Sequence, residues 1–250
     1  MLIQDVEGRN LCIVKFNKMK RKKALIVVTN HSDFENPKAE PTGLWLSELT
    51  HSYDEFEEHG LSIDIVSPKG GKVTIDERSL SRVMLDKASK KRFEDERFMS
   101  LLESTTSASE IDWTDYDILF FAGGHGAMWD FADNQELQEL TRQMYENGRV
   151  VSAVCHGVAA LQNVKLSNGE YLIAGKRGTG FPYFDEGLAG VKKYVPYNLQ
   201  KRLKDRGMQY SKALIPLQNH VVADGRLVTG QNPNSTTKTA RKALEVLGKI

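Results

Sequence analysis

The chain has 250 residues, of which 40% are hydrophobic and 27% are charged, and its formal net charge at pH 7 is +1. This charge balance provides no general electrostatic attraction to nucleic acid or to acidic partners. The length suffices for one sizeable hydrophobic core, and no apolar run approaches the roughly 20 residues that span a bilayer, so we expect neither a nucleic-acid nor a membrane partner.

Strand and helix patterns alternate from residue 24 to the end of the chain. Near-continuous apolar runs predict parallel strands covered on both faces, and they lie at residues 24–28, 61–66, 117–121 and 149–154. Apolar residues at helical spacing predict helices over 43–59, 135–147 and 234–247. This alternation predicts an α/β fold with a doubly wound, mostly parallel sheet.

Two segments lie outside that alternation. Residues 1–23 are predicted to be an N-terminal extension, with an edge strand over residues 11–16, ahead of a single domain over 24–250. Residues 76–110 are polar, with a helix-like stretch over 80–102, and we interpret them as an excursion over the sheet. The basic stretch before residue 24 is followed by an apolar run too short for a signal peptide.

Cys155 and His156 lie where the strand over 149–154 meets a helical pattern. Gly157 permits a tight turn between the strand and the helix. A nucleophile at such a turn is exposed above the sheet, close to backbone amides. We therefore expect the turn to favour the thiolate, which is the reactive form of cysteine. The alternative is an inert buried thiol. The only other cysteine is Cys12, so no disulfide framework is indicated and a reducing cytoplasm is the predicted compartment.

A paired-glycine loop and one glutamate also indicate chemistry. Gly123 and Gly124 follow the strand over 117–121, where backbone amides could stabilise an oxyanion, or where a tight turn alone is needed. The loop is neither a dinucleotide fingerprint nor a phosphate loop. Glu48 falls on the apolar face of its predicted helix, next to Leu49, where a carboxylate tends to be protonated or paired. An ordinary solvated glutamate is the alternative.

Six short motifs occur in order along the chain. They are Thr42-Gly-Leu-Trp-Leu-Ser-Glu48, Val66-Ser-Pro-Lys-Gly-Gly71, Ala122-Gly-Gly-His-Gly-Ala-Met128, Ala153-Val-Cys-His-Gly157, Thr179-Gly-Phe181 and Leu227-Val-Thr-Gly-Gln-Asn-Pro233. As a set they resemble the ThiJ/PfpI superfamily, in the branch of the heat-shock chaperone 31 and glutathione-independent glyoxalase III proteins. The resemblance covers about residues 24–247.

The resemblance implies a flavodoxin-like sandwich, usually dimeric, with a cysteine at a nucleophile elbow. It assigns the nucleophile to Cys155, its histidine to His156, the acidic partner of that histidine to Glu186, and the carboxyl group bound to the thiol to Glu48. The oxyanion-binding amides would be those of Gly124 and His156.

Departures from the family pattern leave some assignments open. Val158 stands where many relatives have proline, which should change only the rigidity of the elbow. Asp185 precedes Glu186 and could replace it as the partner of His156, or both could be ordinary first-turn acids of a helix. Some relatives bind a metal through two histidines and a carboxylate, but no convincing set is apparent here, so we predict no metal and no cofactor. We interpret the following histidines as surface or core residues: His51, His59 and His220.

The function implied by the resemblance is that of a glutathione-independent glyoxalase III, a lactate dehydratase of the lyase class, which converts methylglyoxal to lactate through the Cys155 thiolate. Protein deglycase and holding-chaperone activities are also implied, so the expected partners are small reactive aldehydes, unfolded or glycated proteins, and a second copy of the chain. The alternatives are a stress-responsive chaperone or redox sensor, and a PfpI-like cysteine hydrolase.

Overall fold

A computed structural model describes residues 2–4, 10–12 and 21–248. Its strands are β1 (Leu2–Gln4), β2 (Asn10–Cys12), β3 (Lys23–Val27), β4 (Ser62–Ser67), β5 (Thr106–Ser107), β6 (Ile118–Phe121), β7 (Val150–Val154), β8 (Arg177–Gly178), β9 (Gln209–Tyr210), β10 (Val221–Asp224) and β11 (Leu227–Gly230). Its α-helices are α1 (Leu46–Glu58), α2 (Lys87–Phe93), α3 (Glu96–Ser100), α4 (Ala127–Asp130), α5 (Gln135–Glu146), α6 (Tyr183–Leu188), α7 (Leu199–Asp205) and α8 (Thr236–Leu247). Short 3₁₀ helices cover Glu77–Leu80, Ala108–Glu110, Trp113–Asp115, Cys155–Leu161 and Pro233–Ser235.

The central sheet has seven strands in the order β10-β11-β7-β6-β3-β4-β5. Every neighbouring pair is parallel except β10 and β11, which form an antiparallel hairpin. The four predicted strands correspond to β3, β4, β6 and β7, with each end within one residue of its expected place. The predicted mostly parallel α/β fold is therefore confirmed.

Helices cover both faces of this sheet because alternate residues of each buried strand point to opposite sides. In β3, Leu25 and Val27 belong to the hydrophobic cluster that includes residues of α4, α5 and α7. Ala24 and Ile26 belong to the second cluster, which includes residues of α1, α3 and α8. Two buried cores on one sheet explain why the strands read as unbroken apolar runs.

The sheet changes its direction of growth between β3 and β6. The chain runs from β3 to β4 and β5 on one side, and then returns to place β6 on the other side of β3. In open α/β sheets, ligands bind beyond the carboxyl ends of the strands at such a switch point. The loops after β3, β6 and β7 meet there.

The polar excursion differs from its predicted form. The helix-like stretch over 80–102 divides into the 3₁₀ helix Glu77–Leu80, α2 and α3. Asp86 and Asp95 each accept hydrogen bonds from amides at the start of a new helix, so each aspartate begins one helix and interrupts the preceding pattern.

Two predicted boundaries also change. Helix α1 begins at Leu46, later than the sequence suggests, because the preceding segment is extended and Thr42 donates a hydrogen bond to Asp76 (2.9 Å). The strand predicted over residues 11–16 lies partly outside the described residues. Its described part belongs to β2, which pairs with β1 in a separate two-stranded sheet. Among the described residues, no helix has both the length and the hydropathy needed to cross a membrane.

Candidate active site

Cys155 lies at the turn between β7 and the 3₁₀ helix Cys155–Leu161, with a backbone φ of 56°. A positive φ is uncommon for a residue with a side chain and stores local strain. A Cβ at Gly157 would lie 2.4 Å from the carbonyl oxygen of Phe121, so glycine is needed for the turn to pack against the end of β6. The predicted strained strand-to-helix turn is therefore present.

The histidine and the two adjacent acids occupy distinct positions around this turn. The Nδ1 atom of His156 lies 3.3 Å from Sγ of Cys155, and its Nε2 atom lies 2.8 Å from Oε1 of Glu186. Asp185 instead accepts a hydrogen bond from the amide of Leu217 (3.4 Å). The structure thus places Glu186, and not Asp185, against the ring that faces the thiol.

A second histidine, which the sequence analysis missed, contacts the same carboxylate. Nε2 of His125 lies 3.0 Å from Oε2 of Glu186, and the rings of His125 and His156 have centroids 4.0 Å apart. His125 belongs to the paired-glycine motif, whose only expected role was to present backbone amides. A polar, ionisable residue inside a glycine turn at a strand end was the available signal.

The ionisation of this cluster follows from its contacts. Burial opposes ionisation of Glu186, but the charge of His156 and hydrogen bonds from both histidines hold the pKa of this carboxyl well below its usual range. Burial and the neighbouring charge of His156 lower the pKa of His125 to about 4. Glu186 is therefore an anion at neutral pH, and His125 is a neutral imidazole.

The same three side chains form the two-histidine, one-carboxylate set that was not apparent in the sequence. Their potential ligand atoms lie within 4.8 Å of one another. However, both Nε2 atoms already lie at hydrogen-bond distance from the carboxylate, at 2.8 and 3.0 Å, whereas zinc ligands are held roughly 3.3 Å apart by a tetrahedral ion. The guanidinium of Arg78 also lies 3.3 Å from Nδ1 of His125, which places a positive charge beside any bound cation. The arrangement fits a hydrogen-bonded triad better than a metal centre.

Glu48 reaches the turn from α1 and is fully buried. Its Oε2 atom accepts a hydrogen bond from the amide of Gly123 (2.7 Å), and its carboxyl group interacts with the thiol of Cys155. A Cβ at residue 123 would lie 2.7 Å from Glu48 Oε2 and 2.8 Å from the amide of Gly157, so glycine is required where the three segments meet. The apolar-face position read from the sequence corresponds to a carboxyl group beside the nucleophile.

The two amides predicted to bind an oxyanion lie on either side of this junction. The amide of His156 is directed at the sulfur of Cys155. Gly124 has a φ of 108°, and a Cβ there would lie 2.1 Å from the carbonyl oxygen of Gly43. The Gly123 amide is occupied by Glu48, so Gly124 and His156 stay the predicted oxyanion donors.

Comparison with known proteins identifies the family of the chain. The sequence profile described as DJ-1/PfpI family matches residues 42–246. The chain belongs to the DJ-1/PfpI family. The resemblance inferred from the six motifs is thereby confirmed.

The similarity to individual family members extends over nearly the whole chain. The chain is 35% identical to the probable glutathione-independent glyoxalase hsp3103 of Schizosaccharomyces pombe, covering 86% of this chain and 95% of that protein. The crystal structure of glyoxalase III from Candida albicans superposes with a TM-score of 0.84 and 33% identity, covering 90% and 97% of the two chains. The Rapid Encystment Protein 24 kDa of Francisella tularensis gives a TM-score of 0.85 with 38% identity, covering 90% and 99%.

The electrostatics of the thiol in this DJ-1/PfpI protein differ from the sequence-based expectation. Burial and the neighbouring Glu48 raise the pKa of the Cys155 thiol well above its ordinary value, whereas the amide of His156 lowers it by a smaller amount. The expectation that the turn itself favours the thiolate is therefore wrong. The amides are outweighed because desolvation in a closed site disfavours any new charge.

Protonation of Glu48 changes this balance. Burial raises the pKa of Glu48 to about 8, so this carboxyl group keeps its proton at neutral pH. A neutral carboxylic acid does not repel a thiolate, and it can donate a hydrogen bond to the sulfur. The pair therefore holds one negative charge more easily than two, and the thiolate forms best while Glu48 is protonated.

Two aromatic side chains enclose the site of this family member. Phe181, from the Thr-Gly-Phe motif, lies on the ring of His156 with centroids 4.5 Å apart, and Phe34 lies 5.4 Å from the ring of His125. Cys155 is 3% exposed and His156 is 1% exposed. Charges on side chains as buried as these interact strongly, and the low exposure of Cys155 favours a small reactant.

Proposed function

We propose that the protein is a glutathione-independent glyoxalase that converts methylglyoxal to lactate. The single observation that carries this proposal is the fully buried carboxyl group of Glu48 beside Cys155, where burial raises the pKa of Glu48 to about 8. A hydrolase needs only the nucleophile, its histidine and the partner acid of that histidine. A second carboxyl group at the sulfur suits a reaction that moves a proton between two carbons of the bound substrate. The glyoxalase names of the yeast relatives support the same activity.

The first step is covalent addition. His156 takes the thiol proton at Nδ1, and the Cys155 sulfur forms a bond to the aldehyde carbon, C1, of methylglyoxal. The carbonyl electron pair moves to the C1 oxygen, which the amides of Gly124 and His156 stabilise. Glu48 then donates its proton to that oxygen, which gives a neutral hemithioacetal and leaves Glu48 as a carboxylate.

The second step is an internal oxidation and reduction. The Glu48 carboxylate removes the hydrogen of C1 as a proton, and the electron pair forms a double bond to C2 while the imidazolium of His156 protonates the C2 oxygen. Glu48 delivers its proton to C2 and recovers one from the C1 hydroxyl. C1 is oxidised and C2 is reduced by the same electron pair, so a lactoyl thioester forms without a redox cofactor.

The third step releases the product. His156, now neutral and oriented by Glu186, removes a proton from water, which attacks the thioester carbonyl. The carbon–sulfur bond breaks, the imidazolium of His156 returns its proton to the leaving sulfur to regenerate the Cys155 thiol, and lactic acid leaves and ionises to lactate. The sum is addition of one water to methylglyoxal, which is the reverse of a dehydration and matches a lactate dehydratase of the lyase class.

A second candidate function is that of a holding chaperone or stress-responsive binding protein, with deglycase activity on glycated proteins. Such a protein needs exposed apolar surface. The following apolar side chains are exposed on α6 and on the segment that contacts it: Phe184, Leu188, Leu214, Ile215 and Leu217. The same surface would suit the predicted homodimer. We also propose the cytoplasm as the compartment and a single domain over 24–250 after an extension over 1–23.

The decisive experiment measures lactate formed from methylglyoxal without glutathione, with and without a metal chelator. We expect turnover in the wild type, unchanged turnover with chelator and in Cys12→Ala, and essentially no turnover in Cys155→Ala. If the wild type and Cys155→Ala are equally inactive towards methylglyoxal and glyoxal, the glyoxalase proposal fails. Suppression of client aggregation by both proteins would then favour the holding function.

A further inference from the structure

The hydrogen-bond chemistry of Arg78 fixes the tautomer of His125. Nη2 of Arg78 lies 3.3 Å from Nδ1 of His125, on the side of the ring opposite Glu186. A guanidinium group donates hydrogen bonds and accepts none, so Nδ1 must be the acceptor. The single ring proton of His125 is therefore on Nε2, from which it is donated to Oε2 of Glu186.

Arg78 is itself held in place by a buried anion. Its Nε atom donates to Oδ1 of Asp76 (2.8 Å), its Nη2 atom donates to Oδ2 of the same carboxylate, and Asp76 is fully buried. The guanidinium also lies over the ring of Phe34, 5.1 Å from its centroid. A two-point contact with a buried carboxylate leaves the cation little freedom to leave His125.

We propose that His125 is a positioning residue for the reaction: held as the Nε2–H tautomer by Arg78, it occupies Oε2 of Glu186 and thereby directs Oε1 to His156. This inference rests on the proposed function. Because Oε1 accepts the Nε2 proton of His156, Nδ1 of His156 has no proton in the neutral ring and faces the thiol as an acceptor.

The hydrogen-bonded chain from Asp76 through Arg78 to His125 also determines which histidine carries the transferred proton. Glu186, His156 and Arg78 are the ionisable groups that face the ring of His125. Two imidazolium rings 4.0 Å apart would repel each other, and a proton on Nδ1 of His125 would point at a guanidinium N–H. The thiol proton therefore resides on His156 alone, where it is needed for later transfer.

The test compares two substitutions that differ in their capacity to donate a hydrogen bond to Glu186. His125→Phe keeps a ring but removes the donor to Glu186, whereas the side-chain amide of His125→Gln can restore the donor and cannot titrate. Loss of a hydrogen bond to a charged group changes a rate or equilibrium constant by a factor of roughly ten to a hundred. We expect kcat of His125→Phe to fall by that factor with KM within about twofold, and His125→Gln to stay within about threefold of wild type.

A second readout does not depend on turnover. This readout is the rate of Cys155 alkylation by iodoacetamide, measured from pH 5 to pH 10. The midpoint of the pH–rate profile should move to higher pH in His125→Phe and stay near the wild-type midpoint in His125→Gln. Thermal unfolding of both variants identifies a folding defect. If the two variants lose equal rate, or if His125→Phe keeps the wild-type alkylation profile, the positioning role is overturned. An inactive wild type with the expected alkylation profiles would reject the glyoxalase activity while supporting the role of His125.

Discussion

In the part of the chain that the structure describes, two regions place a histidine between an acid and a nucleophilic side chain, and one of the two has the geometry of a catalytic relay. In the buried cluster, Cys155 contacts Nδ1 of His156 while Glu186 contacts Nε2. In the second cluster, which joins α1 to α2, Ser89 and Asp86 both contact Nε2 of His51, at 3.4 and 2.8 Å. A proton cannot pass through a ring whose acid and hydroxyl share one nitrogen.

The surroundings of the two clusters differ as much as their geometry. The side chains of His51 and Asp86 are 23% and 44% exposed, and Asp86 also accepts hydrogen bonds from two amides at the start of α2. The hydroxyl of Ser89 forms a hydrogen bond with the hydroxyl of Thr50 (2.8 Å). This second cluster caps the start of α2 and links α2 to α1 by hydrogen bonds. The use of the two ring nitrogens, rather than residue composition, therefore separates a relay from a structural contact.

The largest difference between the two clusters should appear when each nucleophilic group is removed. Cys155→Ala should lower kcat for methylglyoxal by more than about a thousandfold, because the covalent adduct cannot form. Ser89→Ala, the matched substitution in the second cluster, should stay within about twofold. Lactate production by both purified variants is the measurement, and comparable losses in the two would contradict a purely structural role of the Ser89 cluster.

The next effect concerns the acid behind the relay. Glu186→Gln should lower kcat by roughly a hundredfold or more, because a neutral amide cannot stabilise the imidazolium of His156. Asp185→Asn is the matched control on the same helix and should stay within about threefold. Steady-state kinetics of the two variants decide the matter, and a larger loss in Asp185→Asn would reassign the partner of His156.

Glu48 offers a test of proton transfer separate from the relay. Glu48→Gln keeps the size of the side chain and can still accept from Gly123, but it cannot exchange a proton, so we expect kcat to fall about a hundredfold. Solvent-exposed Glu58 is on the same helix, and Glu58→Gln should leave kcat unchanged. The assay is turnover of methylglyoxal by folded protein, and full activity in Glu48→Gln would remove the role assigned to Glu48.

The pH dependence of stability provides a smaller effect at the same residue. The pKa of Glu48 is raised from 4.5 to about 8 on folding, so between these values the folded protein binds a proton that the unfolded chain releases. The free energy of unfolding should therefore decrease as pH rises through this window, by up to about 4 kcal/mol. Urea unfolding from pH 5 to pH 8 should show a shallower decrease in Glu48→Gln, and parallel curves would contradict the buried, protonated carboxyl.

The smallest expected effect is in the helix cap. His51→Ala should leave kcat within about twofold and reduce the free energy of unfolding by only about 1 kcal/mol, because it removes one partly exposed hydrogen bond. Urea unfolding and methylglyoxal turnover, measured together, check both statements. A large loss of turnover without loss of stability would show that this cluster has a chemical role after all.

The sequence by itself determined the features that depend on local spacing. The apolar runs of β3, β4, β6 and β7 indicated buried parallel strands because strands covered on both faces need apolar residues throughout. Cys155 between a strand and a glycine indicated the turn, and the position of Glu48 next to Leu49 indicated a buried carboxyl group. Each of these conclusions uses residues that are neighbours along the chain.

Only the tertiary structure decided the features that join distant segments. His125 and His156 share Glu186 because they follow the adjacent strands β6 and β7 and because α6 places this carboxylate within hydrogen-bond distance of both rings, which no local pattern encodes. The choice of Glu186 over Asp185 depends on the direction in which α6 faces the turn. The raised pKa of the Cys155 thiol has the same origin. Burial and proximity to Glu48 set the charge of this group, and both arise from packing between elements far apart in the chain.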